Sequence, residues 1–292
     1  RQPGRLLSAI AHMPLYGRDP AVIAAYDRVI GVSQHVLNSL AAAGISAVHP
    51  EPLLGVASLE RFAAPGQAGA IRANSAYDWD TRKLRDRVLG WGEPLYRRCL
   101  PRRSFQRGTG ITLGIVSRLT PIKQFPLLFR QLAPVLARYP AFRLEIFGAG
   151  GYASVRDLKA ALAPIRERVR FWGQQREVGA VYRQLDYLLT GLPEKEALGL
   201  NVLEAQACGT PVLAVEALPF TETVTAAVTG LFYRDPRQDG GADFERLLQL
   251  LQQQAFRIDP ERAAPVLAAF SVPAFEQRVS RLHQAIIRQM ES

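Results

Sequence analysis

Cysteine is nearly absent: the 292 residues hold two, Cys99 and Cys208. One pair cannot build a disulfide framework, and their separation makes no C-x-x-C metal pair, so a reducing, cytoplasmic setting is expected. Histidine is scarce as well. His12, His35, His49 and His283 show no metal-ligand spacing, and no metal site is expected. No stretch approaches the roughly 18–20 uninterrupted apolar residues of a bilayer span, so a transmembrane chain is not expected. The chain opens Arg1-Gln2-Pro3-Gly4, with no Met and no signal-peptide succession after it, and reads as a fragment or a processed product. Acidic charge is the minority sign, with 26 Asp plus Glu against 36 Lys plus Arg and a net charge of +10.

What is present is ordinary globular material. Hydrophobic residues make up 48% and charged residues 21%, which suits one or two domains and excludes a wholly disordered chain. The excess positive charge asks for anionic partners: nucleic acid, lipid headgroups or a phosphorylated small molecule. Its densest clusters are Arg82, Lys83, Arg85 and Arg87, then Arg97, Arg98, Arg102 and Arg103. No fingerprint interleaves these charges with stacking aromatics, so nucleic acid is not an expected partner. A solvated Arg-rich surface and a membrane-facing patch both fit.

Periodicity divides the chain unevenly. A helical stretch and a short strand (28–32) come first, then Ser33 as an N-cap for a helix over 35–43 that stops at Gly44. Residues 63–80 read as a loop or linker, and 81–100 as an amphipathic basic helix interrupted near Gly90 and Gly92. Residues 101–110 are polar and turn-rich, which places a domain boundary there. From 111 strands alternate with helices: strands at 111–116, 142–147, 169–172, 187–190 and 211–215, helices at 125–139 and 199–208. That rhythm means a parallel sheet covered by helices on both faces, an α/β fold of Rossmann type. A last helix covers 273–290. The expected organisation is a partial N-terminal α/β region with its connection (1–107), a Rossmann-like domain (108–272) and a C-terminal helix (273–292).

Ligands of such sheets sit at the carboxyl ends of strands. The most informative loop is Glu194-Lys195-Glu196-Ala197-Leu198-Gly199-Leu200-Asn201-Val202-Leu203-Glu204-Ala205. Glu196 lies on a loop leaving a strand and Glu204 one to two turns into the next helix. Between them the amides of Gly199, Leu200 and Asn201 are the unpaired donors of a helix N-terminus, a ready site for phosphate. Ordinary helix-start acidity plus a solvated helix face is the plainer reading of the two carboxylates. Gly148-Ala149-Gly150-Gly151-Tyr152-Ala153 fits a dinucleotide G-x-G-x-x-A, but the following strand ends without an acidic residue for a ribose. Asp78-Trp79-Asp80 matches D-x-D without the preceding apolar strand that a metal site of that kind normally follows. Cys208 reads as a small buried residue.

Two carboxylates with seven residues between them, ahead of Ala205-Gln206-Ala207-Cys208-Gly209-Thr210-Pro211-Val212, resemble the donor-binding signature of the large retaining nucleotide-sugar glycosyltransferase family of GT-B architecture. The resemblance continues in chain order. Residues 29–33 look like the last strand and turn of that family's N-terminal domain, and Gly55-Val56 with Phe62 like the connection between domains. Residues 114–123 are similar to the stretch whose Arg and Lys hold the donor diphosphate, here Arg118 and Lys123. Gly148 sits in the matching Gly-rich turn, Gly173 ends the matching strand, and Glu222 ahead of residues 229–232 matches a late Glu. The resemblance runs from about residue 22 to 235. The family's N-terminal domain is longer than the 50–60 residues found here, and its first strands are absent.

The resemblance implies a GT-B-like fold and transfer of a hexose-type sugar, with retention, from a nucleotide diphosphate to an acceptor hydroxyl. The setting would be polysaccharide, lipopolysaccharide or glycolipid assembly, with a saccharide or lipid-linked acceptor and no cofactor beyond the donor. It implies Arg118, Lys123 and Glu196 as catalytic residues, and Gly148, Gly199, Leu200, Asn201 and Glu204 as donor-binding. A donor-contacting histidine is usual in the family, and His12 stands where one would be sought. A module that holds the nucleotide sugar without transferring it is the alternative. The basic segment 82–103, with Trp91, Leu95, Tyr96 and Leu100, has the composition of an interfacial helix, which would place the protein at the inner face of an anionic membrane.

Overall fold

The computed structural model describes residues 6–55, 59–63, 70–98 and 103–291. Residues 1–4, Val56, Cys99, Leu100 and Arg102 lie outside the described residues, as do the side chains of Leu95, Tyr96, Arg97 and Arg98. The chain begins with a small α/β unit: β1 (Ser8–Ala11), α1 (Ala21–Ala24), β2 (Arg28–Gly31) and α2 (Gln34–Ala42). Strands β1 and β2 pair in parallel, Ser8 opposite Arg28 through Ala11 opposite Gly31. Ser33 caps α2 from extended backbone, its Oγ accepting the Val36 amide at 3.2 Å. Val36, Leu37 and Leu40 recur at helical spacing and close on Val29 and Ile45, which gives this unit a core of its own.

Two further helices, α3 (Leu59–Ala63) and α4 (Leu84–Arg98), lead to the main sheet. Its elements are β3 (Ile111–Val116), α5 (Phe125–Ala137), β4 (Phe142–Phe147), α6 (Tyr152–Ala161), β5 (Val169–Phe171) and α7 (Val178–Tyr182). They continue as β6 (Tyr187–Leu189), α8 (Leu200–Ala207), β7 (Val212–Val215), α9 (Phe220–Thr223) and β8 (Gly230–Tyr233). Six parallel strands stand in the order β5-β4-β3-β6-β7-β8. Apolar strands buried on both sides need helices over each face. Phe129 and Leu132 of α5, Val155 of α6 and Phe244 cover one face, while Val181 of α7 and Val202 and Ala205 of α8 cover the other. Strand order reverses between β3 and β6, and the carboxyl edge at such a switch point, here called the β3–β6 crevice, is where ligands of these sheets bind.

The remaining helices are α10 (Pro236–Asp239), α11 (Ala242–Gln253), α12 (Pro260–Ala268) and α13 (Val272–Glu291). Helix α13 returns to the small unit, where Phe275, Leu282 and Ile286 pack with Ile30 and Leu53. No described helix is long and apolar enough to cross a membrane.

Two expectations change. Residues 70–80, read as loop or linker, are packed chain: Ile71 is buried with Val116, Phe147 and Trp172. Backbone bonds fix the segment, from Asn74 N to the Trp172 carbonyl (2.8 Å), Gly150 N to Ala76 (3.0 Å) and Asp78 N to Gly150 (2.8 Å). Phe105 N also donates to Ile71 O (2.8 Å). Helix α4 is continuous through Gly90 and Gly92, because Gly90 lies against the Trp79 ring, where a Cβ would stand 3.0 Å from Cγ.

Candidate functional site

Two loops flank the switch point. After β3, Ser117 and Arg118 leave the sheet, a tight turn spans Pro121–Lys123, and Gln124 takes a left-handed φ of 54° before α5 begins. After β6, residues 190–199 lead to α8. Gly191 lets the two loops touch: a Cβ there would stand 2.3 Å from the Lys123 carbonyl oxygen. Lys123 Nζ consequently forms an ion pair with Glu196 Oε2, both side chains largely shielded from solvent at 21% and 14% exposure. The other Glu196 oxygen accepts the Ala197 amide at 3.3 Å.

Next to this pair, Gly199 caps α8 with φ 84°. The amides of Gly199, Leu200 and Asn201 have no acceptor among the described residues, as the first turn of a helix dictates. Asn201 turns its side chain to β3, Nδ2 donating to the Val116 carbonyl at 3.1 Å, and so fixes α8 against the strand that carries Arg118. Leu200 is exposed. Arg118 is exposed and has no ion pair among the described residues, which leaves a guanidinium available to an anion.

Glu204, further along α8, is half-buried. Its Oε2 accepts the Tyr182 hydroxyl at 2.8 Å. Burial raises its pKa, while the Tyr182 bond and the charge of Arg61 oppose the rise. Its second oxygen, Oε1, has no donor among the described residues. Gly148 takes φ 153° and donates its amide to Gly173 O at 2.9 Å, so that amide is already engaged. A Cβ at 148 would lie 1.8 Å from Ser117 O, and glycine here is what lets the β3 and β4 loops meet.

The structure therefore gathers Lys123, Glu196, Gly199 and Asn201 around the β3–β6 crevice. Several contacts around the site have no counterpart in the sequence pattern. Glu194 receives Gln124 Nε2 at 3.0 Å and Arg237 of α10, and its carbonyl meets His35 Nε2 at 3.1 Å. Glu222 accepts the amides of Gln34 and His35 at 2.8 and 3.1 Å, joining the start of α2 to α9. Ser33 Oγ donates to Ala197 O. Gln124 and Arg237 lie 70 and 43 residues from Glu194 and the other partners 159 to 188 residues apart, and no local spacing signals them. His12 follows β1 directly, is exposed, and has no hydrogen bond among the described residues. Asp80 of the D-x-D is paired with Arg82 and Lys83. The Cys208 thiol is pushed up to about 11 by burial, consistent with a packing role.

Lys123, Glu196 and the first amides of α8 thus meet at the point where the strand order of the doubly wound sheet reverses. The family described as "Glycosyl transferases group 1" matches residues 100–265, and the chain belongs to it. A D-inositol 3-phosphate glycosyltransferase of Corynebacterium jeikeium (strain K411) is 32% identical over 185 residues, 60% of this chain and 43% of that protein. A GDP-mannose-dependent monoacylated alpha-(1-6)-phosphatidylinositol monomannoside mannosyltransferase of Corynebacterium glutamicum is 32% identical over 161 residues, 52% of this chain and 39% of its own. The chain thus spans less than half the length of these relatives. Among solved structures, Anabaena Alr3699/HepE in complex with UDP and glucose superimposes with TM-score 0.66 at 17% identity, over 96% of this chain and 72% of that one. Sucrose-phosphate synthase from Thermosynechococcus elongatus gives 0.67 at 20%, over 97% and 68%. The fold is that of the GT-B glycosyltransferases.

Proposed function

We propose that the chain forms the donor-binding part of a glycosyltransferase that moves a hexose-type sugar from a nucleotide diphosphate to an acceptor hydroxyl with retention. The observation that carries this reading is the Lys123–Glu196 pair, with the α8 amides that have no acceptor among the described residues and the exposed Arg118. Membership of group 1 and the UDP named with the HepE structure support it.

In the proposed reaction Arg118 and Lys123 neutralise charge that grows on the departing diphosphate, and the Gly199 to Asn201 amides donate to its oxygens as a ready-made anion site. Glu204 Oε1 takes a ribose hydroxyl, and Glu196 a hydroxyl of the transferred sugar. The bond from the anomeric carbon to the phosphate oxygen breaks as the acceptor oxygen bonds on the same face. The acceptor proton passes to the leaving phosphate oxygen. The relatives named for phosphatidylinositol and inositol phosphate acceptors make a glycolipid or related acceptor the first to try.

Thermal stabilisation by UDP-, GDP- and ADP-sugars tests the reading. A ligand at about 100 times its dissociation constant should add about 2.7 kcal/mol. No stabilisation by any of them overturns the assignment of the site, and stabilisation without turnover on any acceptor reduces it to a binding module.

A further inference from the structure

Helix α4 is turned inside out. Its inward face carries Asp86, Gly90 and Glu93, at helical spacing. Asp86 is 2% exposed, Gly90 lies on Trp79, and the Trp79 indole N–H donates to Glu93. Beneath them Tyr77, Trp79 and Tyr152 form a stack, with Tyr77 and Trp79 centroids 4.8 Å apart. The opposite face carries Leu84, Val88 and Trp91, again at i, i+4 and i+7, with exposures of 69%, 60% and 79%. An amphipathic helix normally buries that stripe. Here the acids are withdrawn and the apolar ridge faces outward.

Cations border the ridge. Arg87 is exposed and makes no ion pair among the described residues. Lys83 and Arg82 stand just before the helix, their side chains 66% and 88% exposed despite the neighbouring Asp80. Arg85 lies 4.4 Å over the Tyr152 ring and beside Asp86. An outward tryptophan on an apolar ridge flanked by lysine and arginine, with the acids turned away, complements a surface that is negative outside and apolar within.

We propose that α4 docks the protein on an anionic lipid surface, with Leu84, Val88 and Trp91 entering the headgroup boundary and Lys83 and Arg87 meeting lipid phosphates. The proposal is independent of sugar transfer, since none of these residues belongs to the β3–β6 crevice.

The test uses the 292-residue chain with phosphatidylcholine vesicles, with and without phosphatidylglycerol. The chain sediments with the anionic vesicles, less so as salt rises, and Trp91 emission shifts to the blue. Arg87→Ala weakens vesicle affinity about fivefold, and Leu84→Ala with Trp91→Ala removes the blue shift while the melting temperature changes little, because both side chains are mostly exposed. Equal recovery with neutral and anionic vesicles overturns the proposal. So does concentration-dependent self-association that Trp91→Ala abolishes, which assigns the ridge to a second copy of the chain.

Discussion

Lys123 and Glu196 stand 73 residues apart in the chain and meet as an ion pair across the point where strand order reverses. Backbone contact at Gly191 brings their loops together, so the cation is held at the crevice before any anion arrives. A double-mutant cycle of Lys123→Ala and Glu196→Ala in urea should give a coupling of about 0.5–3 kcal/mol. Additive losses would mean the two side chains do not act together.

Glu222 holds the small N-terminal unit to the main one through two backbone amides of α2. Its pKa is raised by burial, while the Gln34 and His35 amides pull it down. Glu222→Ala leaves those amides unpaired and should cost about 1–3 kcal/mol. Hydrogen exchange should accelerate first in residues 34–36, and unchanged exchange there contradicts the role.

Glu204 gives a pH dependence of definite sign. Burial raises its folded pKa above the ordinary glutamate value of 4.5, so its contribution to stability is full below that value and is lost as pH rises through the folded pKa. Glu204→Gln keeps an acceptor for Tyr182 without the charge. The variant should melt with wild type in acid and above it at neutral pH, while donor affinity falls. A variant that melts lower at neutral pH refutes the sign.

Glycine at 148 and at 151 should respond differently to a methyl group. Gly148→Ala drives a Cβ into Ser117 O and should cost more than about 3 kcal/mol. At Gly151 a Cβ meets nothing within 4 Å and φ is −60°, so Gly151→Ala should change stability by less than about 0.5 kcal/mol. Melting temperatures of the two variants decide, and similar losses would mean the β3–β4 contact is not tight.

Sequence pattern located β3 and β4 to the residue, because apolar runs between turn signals leave few alternatives. The segment around Ile71 stayed hidden. It is held by scattered backbone bonds and two isolated bridges, Arg72 with Ser104 and Tyr77 with Gly150, which carry no periodicity. Gly90 looked like a helix breaker because its partner, Trp79, is invisible to helix propensity. At the site, local spacing placed Glu196 and Gly199 on one loop. The contacts that position them come from Lys123, His35 and Ser33, all distant in sequence. The resemblance implies a donor-binding role for Glu204 but not its partner Tyr182, whose hydroxyl occupies one of its oxygens.

Calorimetry of nucleotide-sugar binding tests the central claim most directly. The donor that stabilises wild type best is titrated into wild type, Arg118→Ala and Lys123→Ala. Arg118 is exposed and its loss should leave the fold intact, so a change in affinity reports the site itself. Each substitution should weaken binding by about 1.5–3 kcal/mol, the worth of a charge-assisted contact. Unchanged affinity in both variants, with wild type binding normally, would place the donor somewhere other than the β3–β6 crevice.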